Sequence, residues 1–163
     1  MYRNATPNDL QFIYDLYMHP QANPYLLYEL MTIEDFKPIY DKLLEGGIKY
    51  IFEEENGTPI GMFKLFPWTY RASHVAYLGG LAIHPNYTGK GFGVKMMQEI
   101  IELANQKDYK RIELSVATEN VRAIELYKKV GFEEEGVLRK YTYLKREERF
   151  LDELLMSYIK MEE

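Results

Sequence analysis

The sequence predicts an α/β domain, on three observations. Apolar spacing changes from a helical to an alternating period at Gly46-Gly47. A glycine-rich run, HPNYTGKGFG (84–93), joins a strand-like stretch (LGGLAI, 78–83) to a helix-like one (VKMMQEIIELA, 94–104). Two further strand-like stretches then close the chain across a charged KREER turn (145–149).

In order, Met1 to Asn4 suits an edge strand. TPNDL (6–10) is a helix start: Thr6 caps, Pro7 fits the first turn and Asp9 complements the dipole. Leu10, Ile13, Tyr14 and Tyr17 follow at helical spacing until HPQANP (19–24) breaks the run. A second helix starts at Thr32, presents Ile33, Phe36, Ile39, Tyr40 and Leu43 on one face, and stops at Gly46-Gly47. Ile48, Tyr50 and Phe52 then alternate with Lys49, Ile51 and Glu53, the pattern of a half-buried strand. Asn56-Gly57 marks a tight turn, and Ile60 to Phe66 returns as the partner strand. The loop PWTYRAS (67–73) precedes a long strand, His74 to Ile83. In the helix after the glycine-rich run, Phe92, Met96, Ile100 and Leu103 share one side, with Met97 and Ala104 beside them. Arg111 to Val116 reads as a strand with Ile112, Leu114 and Val116 facing one way. Asn120 caps a short helix, Val121 to Val130, closed by Gly131, with Ile124 and Val130 in the core. Strands at about 136–144 and 150–159 finish the chain, a single domain without repeat or linker.

Bulk properties narrow the function. The 163 residues are 47% apolar and 15% aromatic, enough for one packed core. A net charge of −5 argues against nucleic acid as a partner and suits a cationic amine. With no cysteine there is no disulfide, no thiolate metal site and no cysteine nucleophile. His19, His74 and His84 are scattered, so no metal site is expected. No apolar run reaches the length of a membrane span and the first residues lack a signal-peptide h-region, so a cytoplasmic location is expected.

Two stretches carry chemistry. In the first, Gly89, Gly91 and Gly93 alternate where strand becomes helix. Backbone without Cβ atoms can coil closely round a ligand, and the first turn of a helix attracts phosphate. Lys90 adds a flexible cation. The run reads equally as a plain turn. GKGFG lacks the third glycine of the dinucleotide fingerprint, and its GK is not followed by Ser or Thr, so neither NAD nor a nucleoside triphosphate is indicated. In the second stretch, NVRAIELYKKVGF (120–132), Asn120, Ala123 and Tyr127 share a helix face. Tyr127 is either a packed ring or a proton donor at a cleft.

Together the two stretches resemble the motifs of the GNAT superfamily of N-acetyltransferases. LAIHPNYTGKGFG resembles motif A, where R/Q-x-x-G-x-G/A binds the pyrophosphate of acetyl-coenzyme A. NVRAIELYKKVGF matches N-x-x-A-x-x-x-Y-x-x-x-G-F of motif B in full. RASHVA, RIELSV and YKKVGFEEEG are most like bacterial acetyltransferases of small amines and amino acids. The implied fold is a mixed, mostly antiparallel sheet of about seven strands with about four flanking helices. Its central strands, about 74–84 and 111–116, splay to admit the pantetheine arm.

The resemblance implies these site residues. Backbone groups at Leu81 and Ile83 pair with the pantetheine amides. Amides of Thr88, Gly89, Lys90, Gly91, Phe92, Gly93 and Val94 wrap the pyrophosphate. An N–H at Leu81 or Ala82 meets the thioester oxygen, Asn120 bonds the cofactor arm, and Tyr127 protonates the departing sulfur. Thr88 stands where the family carries Arg or Gln, which removes one anchor from a cradle made mostly of backbone N–H groups. The general base is Glu53, Glu54, His74 or ordered water, since AYLGGLAI has no carboxylate. Tyr25, Tyr28, Trp68 and Tyr70 either line the amine pocket or pack the neighbouring elements. The implied activity is direct acetyl transfer to a primary amine of a small molecule or amino acid, with acetyl-CoA as donor. A protein N-terminus or lysine as acceptor, and a non-catalytic acyl-CoA-binding domain, are the alternatives. A homodimer is compatible with the family.

Overall fold

The computed structural model describes residues 1–162. Among the described residues there are seven strands and four α-helices. The strands are β1 (Tyr2–Asn4), β2 (Lys49–Glu53), β3 (Pro59–Pro67), β4 (Val75–Ile83), β5 (Arg111–Ala117), β6 (Glu133–Leu144) and β7 (Arg149–Ile159). The helices are α1 (Leu10–Met18), α2 (Ile33–Glu45), α3 (Phe92–Gln106) and α4 (Val121–Lys129). The sheet order is β1-β2-β3-β4-β5-β7-β6. The chain forms two compact units, one of Met1–Leu65 with Gly80–Phe92, the other of Phe66–Gly79 with the chain from Gly93 onward.

In the first unit β1 pairs antiparallel with β2, Tyr2 opposite Phe52 and Asn4 opposite Tyr50. β2 turns into β3 through Glu54–Thr58, where Gly57 takes φ +85°, a conformation that glycine tolerates. α2 begins at Thr32, whose hydroxyl accepts from the Asp35 N–H at 3.2 Å, and continues through Pro38 to Gly46. The helical face built from Ile13, Leu16 and Tyr17 of α1 meets Phe36 and Tyr40 of α2 over Ile51 and Met62 of the sheet. Each of these large apolar side chains contributes roughly 1.5–3 kcal/mol by leaving water.

Two details of this unit differ from the sequence reading. A 3-10 turn at Pro7–Asp9 precedes α1, and Asp9 is a buried anchor for Arg3, with two bonds of 2.8 Å. Burial pushes the Asp9 carboxyl up, but Arg3 and Thr6 outweigh it and hold it below its ordinary range. β2 is not half-buried: Lys49, Tyr50, Ile51 and Phe52 are all buried. Ile51 faces the α1–α2 core, while Tyr50 stacks on Phe63 with ring centres 4.9 Å apart. Both faces of the strand are covered, so alternation in the sequence does not become alternation in exposure.

In the second unit β4 and β5 run parallel over three pairs, Val75–Arg111, Ala76–Ile112 and Tyr77–Glu113. β5 pairs antiparallel with β7 from Arg111–Ile159 to Ala117–Glu153, and β7 pairs antiparallel with β6. α3 buries Met96, Met97, Ile100, Leu103 and Ala104, as its spacing predicts. α4 buries Tyr127; Ile124 and Val130, expected in the core, are half-buried because this helix is short and lies largely open to solvent.

Candidate active site

The glycine-rich run belongs to the first unit up to Phe92. β4 ends at Ile83, the His84 N–H donates to the Ile60 carbonyl at 2.8 Å, and a 3-10 turn at Pro85–Tyr87 redirects the chain. His84 caps that turn: its Nδ1 accepts from the Asn86 N–H at 3.1 Å. Tyr87 packs edge-on against both His84 and Phe92, with Lys90 Nζ 5.7 Å above its ring. Gly89 and Gly91 take φ +76° and +85°, with Lys90 between them on the negative side. Alternating signs of φ turn successive N–H groups toward a common concavity that suits an anion. Thr88, Gly89, Lys90 and Gly91 are all exposed, and a Cβ added at Gly91 meets no atom within 4 Å. The loop is therefore open on the side that a ligand would approach.

Thr88 donates its hydroxyl to the Pro85 carbonyl at 2.9 Å. Its side chain is used inside the turn, so anion contact here falls to backbone N–H groups and Lys90. Leu81, Ala82 and Ile83, all half-buried, lead into the loop on β4, and Ala82 packs against the α1–α2 core.

The remaining motif residues lie in the second unit. A Cβ on Gly93 would stand 3.0 Å from Leu126 Cδ2, so this glycine lets the start of α3 approach α4. Val94 follows in the first turn of α3, half-buried. Asn120 caps α4, its Oδ1 accepting from the Ala123 N–H at 3.4 Å, which leaves the amide N–H₂ as its free donor. Tyr127 is 8% exposed and packs against Phe132 with ring centres 6.1 Å apart. Burial first, and Tyr77 second, push its phenol above the ordinary range, so it keeps its proton at neutral pH.

The four aromatic candidates for the amine pocket separate. Tyr28 belongs to the α1–α2 packing, 5.0 Å from the Tyr17 ring, while Tyr25 is exposed beside it in sequence. In the second unit Trp68 donates its indole N–H to Glu113 at 2.6 Å and leans on Phe66 and Tyr77. Tyr70 is 92% exposed at φ +57°. Of the candidate bases, Glu53 is held by Arg3 and His74 is exposed.

Sequence reasoning missed the burial of Lys49. Lys49, 1% exposed, places its amine 2.8 Å from the Tyr17 hydroxyl and 3.3 Å from the Gly80 carbonyl oxygen. The available signal was the Gly79-Gly80 pair inside a strand, which marks a bulge or a close approach.

A family model described as "Acetyltransferase (GNAT) family" matches residues 10–132. The L-amino acid N-acetyltransferase AaaT of Escherichia coli is 37% identical over 91 residues, 55% of this chain and 54% of that protein. A probable spermine N(1)-acetyltransferase of Bacillus subtilis subsp. natto is 30% identical over 138 residues, 82% of this chain and 88% of the relative. Two relatives, one of them 28% identical over 133 residues, are matched over only 59% and 54% of their own length. Among solved structures, spermidine N-acetyltransferase from Vibrio cholerae, in complex with CoA and spermine, aligns with a TM-score of 0.86 at 24% identity. That alignment covers 98% of this chain and 94% of the other, and speaks to the fold.

Proposed function

This chain belongs to the acetyltransferase (GNAT) family, and from that premise we propose that it moves the acetyl group of acetyl-CoA onto a primary amine of a small molecule or amino acid. The observation that carries the reading is the open loop at Thr88–Gly91, with its two left-handed glycines, between β4 and α3. The loop suits a pyrophosphate, since alternating φ can turn backbone N–H groups toward an anion and Lys90 supplies charge. The reading includes a cytoplasmic enzyme in which residues 1–163 make up one acetyltransferase domain. Among the described residues no helix is long and apolar enough to cross a membrane.

The roles of the residues follow from what acetyl transfer requires. An alkyl amine, with pKa near ~10 by analogy with lysine, must lose a proton before it attacks the thioester carbon. With Glu53 committed to Arg3, ordered water is the simplest carrier of that proton. As the amine adds, charge gathers on the carbonyl oxygen, and an N–H at Leu81 or Ala82 donates to it. The carbon–sulfur bond then breaks. Tyr127, protonated at neutral pH, hydrogen-bonds the departing thiolate and passes it a proton, and the proton shed by the newly acylated nitrogen restores the phenol. Asn120, through its free N–H₂, holds the donor's pantetheine arm. No covalent enzyme intermediate forms.

The test is thiol release from acetyl-CoA against amino acids, polyamines, aminoglycosides and short peptides. The protein has no cysteine, so any thiol comes from the donor. Release with one small-amine class is the expected result. Silence with every small amine and release with a peptide would move the acceptor to a protein N-terminus or lysine.

A further inference from the structure

An amine removed from water must find a counter-ion or give up its proton. No carboxylate among the described residues pairs with Lys49; its amine bonds the Tyr17 hydroxyl and the Gly80 carbonyl oxygen and lies 4.6 Å from the centre of the Tyr17 ring. Burial first, and then the charge of Lys64, lower its pKa well below the ordinary value, favouring the neutral amine. Burial likewise pushes the Tyr17 phenol up, so the pair holds its protons without a net charge.

What this pair touches is the backbone of β4. Gly80 has φ +52°, and a Cβ there would lie 2.6 Å from the Tyr17 hydroxyl and 2.9 Å from the Lys49 amine. Glycine is thus required twice, by conformation and by the two polar tips pressed against it. The bond from Gly80 to Leu81 is trans, like every peptide bond described here. In a trans peptide the carbonyl and the following N–H point to opposite sides. An amine anchored on the Gly80 carbonyl therefore also fixes the direction of the Leu81 N–H, away from Tyr17 and Lys49.

We propose that Lys49 is a positioning residue that, by holding the Gly80 carbonyl, aims the Leu81 N–H at the thioester carbonyl oxygen of the acetyl donor. The proposal rests on the acetyl-transfer reading for the identity of that oxygen, and on Lys49, Tyr17 and Gly80 alone for the hold itself. An apolar residue at position 49 would leave the Gly80 carbonyl without this donor and its peptide plane free to turn. The misaimed N–H would then meet the developing oxyanion poorly, because such a donor acts through alignment set before the reaction.

The experiment uses the full chain with the conservative substitution Lys49→Met, which keeps an unbranched side chain and removes the donor. In the ligand-free protein labelled with ¹³C at glycine carbonyls, the Gly80 resonance should move in Lys49→Met. With acetyl-CoA labelled at the acetyl carbonyl, the bound carbonyl signal of the unaltered protein should be displaced from that of free donor. In Lys49→Met it should return toward the free value. Turnover should fall by about 10-fold with donor affinity within about two-fold, the split expected of a contact made mainly in the transition state. A Gly80 resonance unmoved by Lys49→Met overturns the hold. A bound carbonyl signal identical in both proteins overturns the aim. Failure of the unaltered protein to bind acetyl-CoA overturns the acetyl-transfer reading, and the Leu81 assignment with it, while the Gly80 resonance still decides the hold.

Discussion

The hydroxyl of Thr88 is bonded to the carbonyl of Pro85, 2.9 Å back along the chain, and so closes the turn that feeds the glycine loop. A residue that elsewhere in the family reaches the pyrophosphate is here part of the loop's own frame. Thr88→Arg should tighten CoA binding by roughly 3- to 10-fold through a charge-assisted bond, at the expense of the turn. Isothermal titration calorimetry at two salt concentrations checks this, since the gain should shrink as salt rises. Equal affinity for both proteins would mean that position 88 does not face the anion.

Gly91→Trp should abolish CoA binding. No protein atom lies within 4 Å of a Cβ at this position, so the new side chain would occupy the ligand's space without disturbing a packed neighbour. The φ of +85° adds a backbone cost of about 1–2 kcal/mol, small enough for the fold to survive. A circular dichroism spectrum unchanged from the parent, together with unchanged CoA affinity, would remove the loop from the binding site.

Tyr127→Phe should lower turnover by about 10²-fold with little change in donor affinity, the low end of what a general acid supplies. The ring keeps its place against Phe132, so stability should change little. Steady-state kinetics with the best acceptor from the amine panel is the measurement. Turnover equal to that of the parent would leave Tyr127 with a packing role only.

The buried amine gives the fold a pH dependence of definite sign. The unfolded chain takes up a proton on Lys49 as pH falls through about 10.5, whereas the folded chain resists until its own depressed pKa is reached. Between those values the unfolded state binds more protons, so stability relative to Lys49→Met falls as pH falls. Below the folded value the difference levels off. Urea unfolding of both proteins from pH 10.5 downward should show the two curves separating, with Tyr17 and Lys64 the titratable groups facing the amine in each. Parallel curves would mean that Lys49 is charged in the folded state.

Much of this was legible because local rules were obeyed locally. Thr32 and Asn120 cap helices through the bonds that their positions suggest, and Asn56-Gly57 makes the turn it spells. The first motif stretch turns for the same reason, since Gly89 and Gly91 take the left-handed conformation that glycine tolerates. Lys49 was illegible because its burial is decided elsewhere. Alternation describes a strand with one wet face, but β2 is buried on both: Ile51 faces the α1–α2 core on one side, and Tyr50 and Phe52 are buried on the other. The spread of Tyr25, Tyr28, Trp68 and Tyr70 had a similar cause. Aromatic content cannot distinguish Tyr28, drawn into packing on Tyr17, from Tyr70, left in solvent.

The crowding at Gly80 also bears on how this sequence can drift. Positions 17, 49 and 80 share one small volume, with a hypothetical Cβ at 80 inside the contact distance of both polar tips. A side chain gained at position 80 must displace both tips and bear the strain of φ +52°, whereas shorter residues at 17 and 49 would remove the first of these obstacles. The three positions should therefore vary together among relatives, and a homologue with alanine or serine at 80 should lack both the lysine and the tyrosine. Far apart in the chain, they make up a single heritable unit.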